Sequence, residues 1–123
     1  MAQVMQLCPR ERVWLDPSRI GALYAELGGA EVRALLDRAM VELAVVRRAL
    51  DDDYRRSDFA GFARNLRRMR RIAEHLGLTT LGAVAGDVGD CLDRGDATAL
   101  AATWARLARS TDQALAGGWE APG

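Results

Sequence analysis

Apolar side chains recur along this chain at helical spacing, and glycine, aspartate or proline marks each break between the runs. Asp16-Pro17 reads as a helix start, with an acceptor side chain at the cap and proline at the first helical position. Ile20, Leu23 and Leu27 follow at helical spacing until Gly28-Gly29 stops the run. A second helix is predicted from Ala30 to Leu50, with Val32, Leu35, Leu36, Ala39, Leu43, Val46 and Leu50 as one apolar stripe. Asp51 to Asp53 sit badly with the dipole at a helix C-terminus, so the pattern predicts a polar turn there.

Ser57 is placed to cap a third helix whose buried face is Phe59, Phe62, Leu66, Met69, Ala73 and Leu76, with Gly77 as its stop. A fourth is predicted from Thr79 to Arg94, with Leu81, Val84, Val88, Cys91 and Leu92 inward and Gly95 closing it. Gly82, Gly86 and Gly89 each weaken that helix by about 1 kcal/mol against alanine. Asp96 caps a fifth, with Leu100, Trp104, Leu107, Thr111 and Leu115 inward and Gly117-Gly118 beyond. Short links and helical period throughout predict an all-α fold: an antiparallel up-down four-helix bundle with a short additional N-terminal helix across one end. Residues 1–14 read as an N-terminal extension, 15–116 as the bundle and 117–123 as a flexible tail.

Composition narrows the chemistry. All 17 basic residues of the 123 are arginine, which excludes a lysine Schiff base and a P-loop lysine. Half of the residues are apolar, enough to fill a core at this length. Cys8 and Cys91 lie far apart without a Cys/His cluster, so neither a zinc site nor a disulfide framework is expected. The expected setting is cytoplasmic, with reduced thiols, no signal peptide and no apolar run approaching the ~20 residues of a membrane span. Trp104 is expected in the core, while Trp14 and Trp119 flank the bundle and suit a seal or a contact with a second chain.

The formal net charge is zero, but it is unevenly spread. Residues 54–77 hold seven arginines against Asp58 and Glu74, an excess of five positive charges that the rest of the chain balances. At ~100° per residue the third helix sets Phe62, Leu66, Met69 and Ala73 on one side and Arg64, Arg67, Arg68, Arg71 and His75 opposite, with Arg70 on the flank. Two uses fit such a face. It is either a solvated surface paired to acids on neighbouring helices, or a docking surface for an acidic or phosphorylated partner, since arginine forks match carboxylate and phosphate. Asp87, Asp90 and Asp93, at steps of three, lack the ligand number of an oxygen metal site and are better placed to pair with arginines of an adjacent helix. No metal or cofactor is expected.

The run Arg67-Arg68-Met69-Arg70-Arg71-Ile72-Ala73-Glu74-His75-Leu76-Gly77 resembles the signature helix of histidine-containing phosphotransfer (HPt) domains, H-x-L-K-G followed five residues later by a hydrophobic residue and glycine. Met69 matches the hydrophobic third position, Arg70 the basic fourth, and Leu76-Gly77 the close. The order of elements from Leu15-Asp16 through the acidic turn to the CLDRGD segment follows the family layout, so the resemblance spans residues 15–116. It implies a bundle that meets a receiver domain or sensor histidine kinase in a two-component phosphorelay. Two positions depart from the pattern: Arg67 stands where the family has its phosphoacceptor histidine, and Arg71 where a glycine lets the receiver approach. A guanidinium has no free lone pair to accept phosphate.

His75, the only histidine, lies about 12 Å further along the same helix, roughly 80° round its axis. Near a helix C-terminus, a capping or surface role is the simplest one for it. The resemblance therefore implies a signalling adaptor rather than an enzyme, with Arg64, Arg67, Arg68, Arg70, Arg71 and His75 as the contact face. The alternatives are active phosphotransfer through His75, a homodimeric bundle, and nucleic-acid binding by the basic helix. The acidic remainder and the absence of interleaved aromatics weigh against the last.

Overall fold

The computed structural model describes residues 13–14, 17–117 and 119–120. Five helices account for nearly all of them: α1 Pro17–Leu27, α2 Gly29–Arg55, α3 Phe59–Leu76, α4 Thr79–Arg94 and α5 Ala97–Leu115. The one other regular feature among the described residues is a two-residue parallel backbone pairing of Val13–Trp14 (β1) with Trp119–Glu120 (β2). It joins the two ends of the described chain, with β1 against α4 and α5. The Asp16 cap, Cys8 and the side chains of Ile20, Trp14 and Trp119 lie outside the described residues.

Consecutive helices pack together, α2 on α3, α3 on α4 and α4 on α5, and α5 returns to touch α2. The shorter α1 rests on α2, into which it buries Leu23. The expected stripes fill the space between the longer helices. Leu43, Leu50, Phe62, Met69, Leu76, Leu81 and Leu107 are fully buried, each removing apolar surface worth about 1.5–3 kcal/mol. Phe62 and Trp104 meet edge to face at 5.4 Å between centroids, and Tyr54 completes the aromatic group at 5.9 and 6.1 Å. The Arg47 guanidinium stands 5.4 Å from the Trp104 ring centre and binds Asp112 through Nε at 3.1 Å and Nη2 at 3.3 Å. That fork ties α2 to α5.

Several expectations are corrected. No polar turn forms at Asp51–Asp53: α2 runs on to Arg55, because the carboxylates of Asp51 and Asp52 each lie 2.9 Å from the Arg55 guanidinium. Local ion pairs offset the unfavourable dipole. Asp53 turns inward instead, is buried, and accepts from Asn65 Nδ2 at 2.8 Å. Ser57 is not the cap of α3. It takes a left-handed φ of 55°, and Asp58 caps the helix by accepting from the Gly61 amide at 2.9 Å. Phe59, at the first position of α3, is 42% exposed rather than buried, and Leu27 is exposed at the end of α1. Gly28 alone separates α1 from α2.

Candidate functional site

Both ends of α3 are capped. Asp58 holds the first turn, and at the far end Gly77 takes a left-handed φ of 70° while Leu78 donates its amide to the Ala73 carbonyl at 2.8 Å. Between these caps Phe62, Leu66, Met69, Ile72, Ala73 and Leu76 are buried, which turns the intervening arginines outward. Arg64, Arg67, Arg70, Arg71 and His75 are exposed and Arg68 is half-buried.

The structure divides these six side chains between two sides of the helix. Arg68, Arg71 and His75 line a groove of about 710 Å³ between α2 and α3. Leu35, Ala39, Ile72 and Leu76 give it an apolar lining, and Arg38, Val41 and Glu42 contribute from α2. Arg70 turns the other way, to a second groove of about 450 Å³ between α3 and α4. Its guanidinium lies 3.9 Å from where a β-carbon on Gly86 would stand. By helical periodicity Arg64 joins the α2 side and Arg67 occupies the crest towards α4.

The arginines also differ in what they bind. Arg68 Nε is 3.4 Å from Glu42 Oε2, a partly exposed pair across the mouth of the larger groove. Arg64, Arg67, Arg70 and Arg71 have no acid within ion-pair distance among the described residues, and neither has Arg38. The acids of α4 do not neutralise them: Asp87 pairs with Arg106 of α5 at 3.7 Å. A face of like charges without internal partners is set up to accept external carboxylate or phosphate oxygens. It supplies no nucleophile at Arg67.

Arg38, Val41 and Glu42 do not figure in the contact face read from the sequence. The signal is present as Arg38 and Glu42 four residues apart on the polar side of α2, with Val41 between them, now seen 66% exposed. It carries meaning only once α2 and α3 are known to be neighbours. Cys91 is buried, as expected, with Arg94 Nη2 3.4 Å from its sulfur. Among the described residues no three His, Cys, Asp or Glu side chains form a metal-binding group, and no helix is long and apolar enough to cross a membrane. Comparison with known proteins finds no matching family model, curated relative or solved structure.

Proposed function

We propose that this chain is an HPt-like signalling adaptor, a cytoplasmic protein that binds a receiver domain or sensor histidine kinase of a two-component phosphorelay without accepting phosphate. In this reading α2 to α5 form the up-down four-helix bundle, α1 covers one end, and the outer surface of α3 is the contact. The reading is carried by one observation: Arg64, Arg67, Arg70 and Arg71 stand exposed on a single helix with no ion-pair partner among the described residues, centred on the position where the HPt signature places its histidine. The groove beside Arg68 and Arg71 adds apolar surface for a partner side chain, as protein interfaces require.

A receiver's phosphorylation site is acidic and gains charge when phosphorylated, so the arginine forks favour the phosphorylated form. The protein then acts as a competitor, sink or scaffold, holding a phosphorylated receiver without discharging it. The test is titration of purified receiver domains, with and without acyl-phosphate mimic, against the full chain at low and high salt. Salt-sensitive binding that strengthens with the mimic supports the reading. An absence of binding to every receiver and kinase domain of the source organism refutes it.

A further inference from the structure

The outer side of the α3–α4 pair carries both halves of a self-complementary contact. We infer that a second copy of this chain docks here, in an isologous pair that sets Arg67 of each copy against Asp90 of the other. This goes beyond the adaptor reading and does not depend on it, although both contacts draw on Arg64 and Arg67, so a second copy and a receiver compete for them.

The register between the two helices is fixed by three close approaches. Ala73 stands beside Gly82, Arg70 beside Gly86 and Leu66 beside Gly89, so α3 and α4 run antiparallel with Arg67 within about two residues of the level of Asp90. The same register carries Arg64 within about two residues of the level of Asp93. All four side chains are exposed, and none has an ion pair among the described residues. By helical periodicity Arg67 and Asp90 both look out from the α3–α4 side.

A two-fold axis parallel to the helices, in the plane of contact and midway between α3 and α4, lays α3 of one copy over α4 of the other while keeping every residue at its own level. Arg67 then faces Asp90 twice, and Arg64 approaches Asp93 twice. Glu74, the acid on this side of α3, stands near the level of Gly82 and meets no like charge on the opposing α4. Ala63, Ala83 and the partly exposed Gly82 and Gly86 lie between these pairs, and the Arg70 guanidinium of each copy lies over its own Gly86 near the axis. One symmetric contact thus pairs a basic helix with an acidic one on both sides. Because the pairs are surface ion pairs, the association is weak and salt-sensitive.

Sedimentation equilibrium of the full chain tests this with no partner protein present. The wild type is expected to self-associate at about 20 mM salt and to become monomeric near ~0.5 M. Arg67→Asp and Asp90→Arg should each weaken self-association about tenfold, while circular dichroism shows both folded. Mixing the two variants should restore pairing to the wild-type level, since each copy then offers the charge the other lacks at both contacts. A wild type that stays monomeric at low salt overturns the inference. So do single variants that associate like wild type, or a mixture that associates no better than its components.

Discussion

Leu66 of α3 and Gly89 of α4 meet so closely that a β-carbon built on residue 89 would stand 3.6 Å from Leu66 Cδ2. That is ordinary van der Waals contact, and the same holds at Gly82, where the neighbour is the Ala73 β-carbon at 3.8 Å. The helix tolerates its three glycines because Leu81, Val84, Ala85, Val88 and Cys91 are buried against neighbouring helices. Tertiary packing outweighs the propensity cost. Gly82→Ala and Gly89→Ala are therefore expected to stabilise the fold by about 0.5–1 kcal/mol each, read as a raised urea midpoint. Gly61→Ala is expected to gain nothing, because its β-carbon would fall 2.7 Å from the Asp58 carboxylate that caps α3.

How far the sequence goes is clearest at this pair of helices. The apolar stripes, the Asp96 cap and the Gly77 and Gly95 stops are local signals, and the helices appear where those signals put them. What failed was the segment 51–58, where two rules compete. Three consecutive acids argue against a helix end, yet Arg55 supplies the neutralising charge one turn on, and Ser57 and Asp58 are both acceptable caps. The arginine face was legible from periodicity. Its division between two grooves was not, because that depends on which helices flank α3.

The Asp58 cap itself should be worth about 1 kcal/mol. Asp58→Ala removes the acceptor for the Gly61 amide, and Asp58→Asn keeps it. Chemical denaturation is expected to show the alanine variant destabilised by about 0.5–2 kcal/mol and the asparagine variant near wild type. Equal loss in both would shift the cause from the cap to the carboxylate's charge.

Asn65→Leu is expected to cost more than its partly buried position on α3 suggests. It removes the 2.8 Å donor to the buried Asp53 carboxylate and leaves the Arg56 guanidinium, at 3.8 Å, as its ion-pair neighbour among the described residues. An under-satisfied buried carboxylate costs about 1–3 kcal/mol. The double variant Asp53→Leu/Asn65→Leu should recover part of the loss, and a thermodynamic cycle from urea melts reads that coupling.

Trp104→Ala should be among the most damaging single changes. It empties the space beside Phe62 and Tyr54 and withdraws the ring from the Arg47 guanidinium. The expected loss is about 3–5 kcal/mol, visible as a lowered melting temperature.

His75 should stay unphosphorylated. Incubation of the full chain with a phosphorylated receiver is expected to give no acid-labile phosphohistidine. Label that appears in wild type and disappears in His75→Gln would instead favour active phosphotransfer through His75.

The central claim is that the exposed arginines of α3 form the contact with a phosphorelay partner. The direct measurement is the affinity of a cognate phosphorylated receiver for wild type and for Arg67→Glu/Arg71→Glu, with folding checked by circular dichroism. Reversing two charges at the centre of the contact should weaken binding by about tenfold or more and flatten its salt dependence. Equal affinity for the two proteins would contradict the account.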